Sequence, residues 1–198
     1  MSRLNIANRI TLARLVVGLV ALTALSVIEA GIWPGEASVG FWLVLALFLL
    51  ATVTDAVDGY LARSRGIVTV FGRIADPFVD KVVVAGALVL LTVFEPTRAL
   101  LAPWMVVVII SREFLVTGIR GWMESEGINF QAERPGKIKM VLQVIAIAGL
   151  LIQLALGAPP QWYRWLLSGV IWATLLLTIY SGAFYVRKAM AAARDLAM

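Results

Sequence analysis

The 198-residue chain is 61% hydrophobic, has a mean hydropathy of +0.92 and carries a formal net charge of +5. Soluble domains average roughly 45–50% apolar residues, so a water-soluble fold of this size cannot hide so much apolar surface, and lipid must be part of the solvent. The lack of Cys and His excludes disulfides, thiolate chemistry and zinc-type sites. Oxygen ligands remain for any metal, which points to Mg²⁺, Mn²⁺ or Ca²⁺, and any general base must be Asp, Glu, Lys or Tyr.

Six apolar stretches follow in chain order, at about 10–30, 41–62, 77–95, 100–122, 138–157 and 165–187. Each approaches the ~20 residues a helix needs to cross a bilayer, and helices are expected because backbone groups in lipid must pair internally. The expectation is an all-α integral membrane protein with six transmembrane helices, forming a single domain over residues 1–198. Arg3, Arg9 and Arg14 lie at the start, and Arg63, Arg65 and Arg73 in the second connection. Arg120, Arg134, Lys137 and Lys139 follow in the fourth, and Arg187, Lys188 and Arg194 in the tail, whereas the odd connections hold only Arg98 and Arg164. By the positive-inside rule both termini and the even connections face the cytoplasm. The charge is thereby explained by membrane topology, without nucleic acid. The first span is expected to remain as an uncleaved helix. Trp33-Pro34-Gly35 and Ala158-Pro159-Pro160 read as outer turns.

Charges interrupt the second, third and fourth stretches. Asp55 and Asp58 are three residues apart and share a helical face, which Gly59, Ala62 and Arg63 continue. Asp76 and Asp80, four apart, share another, with Asp76-Pro77 resembling a helix start. The segment between Arg63 and Gly72 is short, so the two helices are neighbours and the four carboxylates can meet near the cytoplasmic end. Such a cluster is strongly repulsive and costly to bury. Arg63 and Lys81 cannot balance it, whereas two divalent cations can, as in paired-metal phosphoryl chemistry. The plainer alternative is structural ion pairing or a pore lining, although intramembrane acids are functional by default. Gly59 costs about 1 kcal/mol relative to Ala in a helix; it and Ala62 admit either a close ligand or a close neighbouring helix. Arg63 suits a phosphate or a positive-inside anchor.

The pattern D-x2-D-G-x2-A-R-x8-G-x3-D-x3-D, formed by Asp55, Asp58, Gly59, Ala62, Arg63, Gly72, Asp76 and Asp80, resembles the signature of the CDP-alcohol phosphotransferase family. It occupies residues 55–80, across the second and third helices. The resemblance implies that Asp55, Asp58 and Asp76 hold one Mg²⁺ or Mn²⁺ and that Asp55, Asp76 and Asp80 hold a second. Asp80 would also take the proton from the acceptor hydroxyl. Gly59, Ala62, Arg63, Thr69 and Gly72 would lie against the CDP moiety of CDP-diacylglycerol, together with Asp58 and Asp76. It further implies a homodimer in a bacterial cell membrane, with the site open to the cytoplasmic side.

Three blocks resemble the branch of that family whose acceptor is sn-glycerol 3-phosphate. Asn5-Ile-Ala-Asn8-Arg-Ile-Thr11-Leu-Ala-Arg14 is similar to its opening P-N-x-x-T-x-x-R element, with Ala7 in place of proline, and places Asn8 and Thr11 at the CDP site. Ser111-Arg112-Glu113-Phe114 with Gly118-Ile-Arg120, and Gly136-Lys137-Ile-Lys139, resemble its fourth and fifth helices. Arg112 lies about 12 Å along the helix from Arg120, well inside the span, where an unpaired guanidinium is expensive. Glu113 could neutralise it locally. Alternatively Arg112, Arg120, Lys137 and Lys139 form a pocket for an anionic acceptor, which a neutral alcohol would not explain. Other acceptors of the same chemistry remain open: those of cardiolipin, phosphatidylserine or phosphatidylinositol-phosphate synthesis. A cation transporter is the competing class, disfavoured by Arg63 beside the acids, and a non-enzymatic scaffold leaves the acids without a purpose.

Overall fold

A computed structural model describes residues 6–65, 70–128 and 134–196, with side chains outside 6–10, 55–65, 70–77, 80, 134–135, 137 and 195–196. Seven helices follow one another: α1 (Ile6–Glu29), α2 (Ala37–Arg65), α3 (Val70–Leu91), α4 (Glu95–Arg98), α5 (Pro103–Ser125), α6 (Arg134–Leu156) and α7 (Gln161–Leu196). The six long helices answer the six expected stretches, and the four-residue α4 has no counterpart among them. Four helices are long and apolar enough to cross a membrane among the described residues: α1, α2, α6 and α7. Exposed Leu12, Val16, Leu19, Trp42, Ile145 and Leu176 on these helices leave apolar surface that only lipid covers without cost, as befits an integral membrane protein. The described apolar part of α3 is Lys81–Leu91, and α5 carries Arg112, Glu113, Arg120 and Glu124 along its length.

Helix ends follow local chemistry. In α1, Gly31 (φ 70°) donates to the Ile28 carbonyl and Ile32 to that of Val27. In α5, Gly127 (φ 75°) donates to the Glu124 carbonyl and Ile128 to that of Met123. Both are Schellman closures, where a left-handed residue releases the chain while pairing the last carbonyls; glycine adopts that φ without Cβ strain. Ile128 then packs against the cluster containing Met123, the apolar contact that accompanies such closures. The Trp33-Pro34-Gly35 and Ala158-Pro159-Pro160 segments fall in the connections before α2 and α7.

The chain forms two compact units. The first comprises residues 1–99 and 147–160, and here α1 packs against α2 and α3. Its buried stripes are Arg14, Gly18, Ala21, Leu25 and Ile28 on α1, Phe41, Val44, Phe48 and Ala51 on α2, and Val79, Val83 and Ala87 on α3. Steps of three and four residues are the spacing of a helix–helix seam. A Cβ on Gly18 would fall 2.3 Å from Val83 Cγ2, and one on Gly86 would fall 2.6 Å from Leu22 Cδ1. These two contacts advance in the same direction along both chains, so α1 and α3 run parallel and in close approach. Gly40 meets Ile28 and Trp33 at the opposite end, where the chain turns back into α2. The start of α1, the end of α2 and the start of α3 therefore lie at one end of this unit. Beyond α3, Gln153 of α6 donates to the Pro96 carbonyl at 2.7 Å, and buried Thr97 bonds the Phe94 and Leu91 carbonyls.

The second unit comprises residues 100–146 and 161–198. Its α5 and α7 are packed together around buried Val116, Met123, Tyr185 and Ala189.

Candidate active site

In the first unit, the register of the buried stripes can be followed into the signature. Steps of four, three and four from Ala51 reach positions 55, 58 and 62 of α2. Backward steps from Val79 of three and four reach positions 76 and 72 of α3. On α1 the stripe runs back from Arg14 to buried Thr11 and then to position 8. Helical backbone is continuous through all of these positions. Three segments separated in sequence are thus placed by one packing pattern at one end of the unit. The side chains of Asn8, Asp55, Asp58, Gly59, Ala62, Arg63, Gly72, Asp76 and Asp80 lie outside the described residues, as does Thr69 altogether. Among the described residues no group of three or more acidic side chains could hold a metal. The described part of this end contributes Thr11 and Arg14, both buried and neither without an interaction partner.

The second unit holds a centre of opposite sign. Arg112 projects from α5, donating through Nη2 to Ser181 Oγ on α7 at 2.9 Å and through Nη1 to Glu113 Oε1 at 3.2 Å. Glu113 also pairs with Lys139 of α6. Two turns further along α5, Arg120 Nη2 donates to the Tyr185 hydroxyl at 3.1 Å. The Tyr185 ring, 0% exposed, carries Arg112 Cζ at 5.6 Å and Arg120 Cζ at 5.4 Å from its centroid. Both guanidiniums therefore sit within cation–π range of one ring. The Gly182 Cα leaves room for the Arg112 stem, since a Cβ there would lie 3.0 Å from Arg112 Cγ.

Local neutralisation of Arg112 by Glu113 is thus present, but it is incomplete. Among the described residues Arg112 and Lys139 meet at the Glu113 carboxylate, Arg120 bonds a neutral hydroxyl, and Lys139 is only 4% exposed. The hydrogen bonds are unbalanced in the same sense. In this unit the buried side-chain polar atoms without a partner among the described residues are Arg112 Nε, Arg120 Nε and Gln143 Nε2, all donors. Orphaned buried donors cost about 1–3 kcal/mol each, and a ligand rich in acceptor oxygens and negative charge satisfies them. Three of the four residues expected to bind an anionic acceptor are brought together. The fourth, Lys137, has its side chain outside the described residues. Ser181, Tyr185 and Gln143 are additions that the sequence reading lacked. A signal existed: Thr174, Thr178, Ser181 and Tyr185 follow steps of four, three and four along α7, and all are buried, a polar stripe inside an apolar span.

Residues 4–180 match the CDP-alcohol phosphatidyltransferase family, and the chain belongs to it. This makes it a transferase of lipid metabolism acting in the membrane. It is 37% identical over 193 residues to the CDP-diacylglycerol–glycerol-3-phosphate 3-phosphatidyltransferase of Bacillus subtilis (strain 168), covering 93% of this chain and 94% of that protein. It is 36% identical over 186 residues to a probable phosphatidylglycerophosphate synthase of Mycobacterium tuberculosis (strain ATCC 25618 / H37Rv), covering 94% and 82%. A CDP-diacylglycerol–glycerol-3-phosphate 3-phosphatidyltransferase of Rickettsia felis (strain ATCC VR-1525 / URRWXCal2) is 30% identical over 183 residues, covering 92% and 94%.

Proposed function

We propose that this enzyme transfers the phosphatidyl group of CDP-diacylglycerol to sn-glycerol 3-phosphate, releasing CMP and phosphatidylglycerophosphate. The observation that carries the acceptor is the buried basic centre of Arg112, Arg120 and Lys139, with an excess of donors that have no partner among the described residues: Arg112 Nε, Arg120 Nε and Gln143 Nε2. Serine and inositol, being uncharged overall or neutral, would leave that excess unanswered. Family membership and relatives named for this reaction support the donor and the chemistry.

The signature residues form the donor side. Asn8, Thr11, Gly59, Ala62, Arg63, Thr69 and Gly72, with Asp58 and Asp76, hold the CDP moiety, while the lipid tails stay in the bilayer. An all-oxygen donor set on α2 and α3, in a chain without His or Cys, suits Mg²⁺ or Mn²⁺. Asp55, Asp58 and Asp76 would hold one cation, and Asp55, Asp76 and Asp80 the other. When bound, the pair would offset the carboxylate charge and stabilise charge on the attacking and leaving oxygens.

The reaction is a single in-line displacement. The basic centre grips the acceptor phosphate and so orients the primary hydroxyl at the other end of the molecule. Asp80 accepts the proton of that hydroxyl as general base. The oxygen attacks the β-phosphorus, the one bearing diacylglycerol, and the bond from that phosphorus to the bridging oxygen breaks as CMP departs. No phosphatidyl-enzyme intermediate forms.

The whole chain acts as one domain with six spans, including α3 and α5. A single family match across both units supports this, and so does the neutralisation of α5 charges by α6 and α7. Both termini and the site face the cytoplasm, following the basic residues, and the enzyme is a homodimer in a bacterial cell membrane. The test is an acceptor screen with purified enzyme, CDP-diacylglycerol and Mg²⁺. sn-Glycerol 3-phosphate should give phosphatidylglycerophosphate and stoichiometric CMP. A product formed only with serine, inositol phosphate or phosphatidylglycerol would overturn the assignment. Metal flux into proteoliposomes without CMP release would instead favour a transporter.

A further inference from the structure

Gln143 lies on α6 four residues after Lys139, so the two share a helical face about 6 Å apart along the axis. Its side chain is 3% exposed, and its amide Nε2 has no hydrogen-bond partner among the described residues. It sits inside the apolar span Ile138–Leu156, where water does not offer a ready substitute. A glutamine there is worse for folding than methionine of similar shape, because an orphaned amide keeps its desolvation cost. Lys139 at the preceding turn belongs to the basic centre through Glu113. One helical turn is close to the distance from the phosphorus of a three-carbon phosphate to its middle hydroxyl.

We propose that Gln143 is a specificity-determining residue, whose amide donates to the middle hydroxyl of the phosphorylated acceptor while Arg112, Arg120 and Lys139 hold its phosphate. This rests on the acceptor reading above and extends it from the charged end of the acceptor to its uncharged part. The basic centre alone accepts any small phosphate monoester; the amide distinguishes one bearing a vicinal hydroxyl. A site built to bond a substrate hydroxyl rejects the analogue lacking it, because the donor is then left unpaired.

The test pairs two acceptors with two proteins. 3-Hydroxypropyl phosphate keeps the phosphate and the attacking primary hydroxyl but lacks the middle one. The wild-type enzyme should prefer sn-glycerol 3-phosphate over this analogue in kcat/KM by about tenfold or more. In Gln143→Met the preference should fall to within about twofold, with the KM for CDP-diacylglycerol unchanged. Thermal stability of the detergent-solubilised variant should be equal or higher, since an apolar isostere removes an unpaired buried amide. A purely structural glutamine would lower stability and slow both acceptors alike. Full discrimination retained in Gln143→Met overturns the proposal. An Arg112→Gln control separates the two levels. If it leaves the KM for sn-glycerol 3-phosphate unchanged, the acceptor site itself is misplaced. If it raises that KM while Gln143→Met still discriminates, only the role of Gln143 fails.

Discussion

The two units of this chain differ in the charged residues that mark them: the four signature aspartates belong to the first, and the centre of Arg112, Arg120 and Lys139 to the second. The first places the carboxylate-bearing positions of α2 and α3, with the start of α1, at one end of a tightly seamed trio. The second sets two guanidiniums against a fully buried tyrosine, one of them sharing the Glu113 carboxylate with the Lys139 ammonium. In the proposed reaction divalent cations would relieve the former and the acceptor phosphate the latter. The contrast also separates roles. Changes at the signature aspartates should act on turnover, and changes at the basic centre on acceptor affinity.

The largest effect should come from Asp80→Asn. Removing a general base costs typically 10²- to 10⁴-fold, so CMP release should fall below detection while membrane insertion persists. Near-normal turnover would strip Asp80 of its role. EDTA should silence the wild type comparably, with Mg²⁺ or Mn²⁺ restoring activity. In the second unit, Arg112→Gln removes one partner of a mostly buried pair, a change that costs about 2–5 kcal/mol of affinity. The KM for sn-glycerol 3-phosphate should then rise about 30-fold or more, with little change for CDP-diacylglycerol; equal losses for both substrates would dissolve the division of labour. Tyr185→Phe keeps the ring beneath both guanidiniums but loses the hydroxyl that Arg120 meets at 3.1 Å. A hydrogen bond to a charged group contributes about 1.5 kcal/mol or more, so acceptor KM should rise about tenfold, and Tyr185→Leu should do worse. The smallest effect on chemistry belongs to Gly18→Ala. Its Cβ would overlap the stiff, β-branched Val83, and overpacking costs about 1–3 kcal/mol. A lowered thermal midpoint with kcat per folded enzyme preserved is expected.

How far each unit could be read from sequence follows from the range of its contacts. Asp55 through Asp80 form one short segment on two consecutive helices, so spacing alone suggested a meeting of the acids, and the registers of the buried stripes through Ala51 and Val79 run on to those positions. The basic centre depends on partners far apart in sequence: Arg112 with Ser181, Arg120 with Tyr185, Glu113 with Lys139. Its arginines and Lys139 were legible as charges out of place in long apolar stretches. Ser181 and Tyr185 were not, because a hydroxyl in an apolar helix often bonds only its own backbone, as Thr174 and Thr178 do here. The six long helices were legible from hydropathy, but α5 shows where hydropathy falls short. It scores a charge as a cost, whereas Glu113 and Tyr185 meet the charges of Arg112, Lys139 and Arg120. The turn of α4, Glu95-Pro96-Thr97-Arg98, falls in the connection between two apolar stretches, where hydropathy marks the break but not the single helical turn that fills it.

The central claim is that the acidic end of the first unit exists to bind divalent cations, and direct titration of purified enzyme with Mn²⁺, followed by electron paramagnetic resonance, tests it without turnover. Two ions should bind per chain, and Asp76→Asn, which removes a carboxylate proposed to serve both, should weaken both sites while the helical content stays intact. A wild-type protein that binds no Mn²⁺, or an Asp76→Asn variant that binds two ions as tightly as the wild type, would contradict the account.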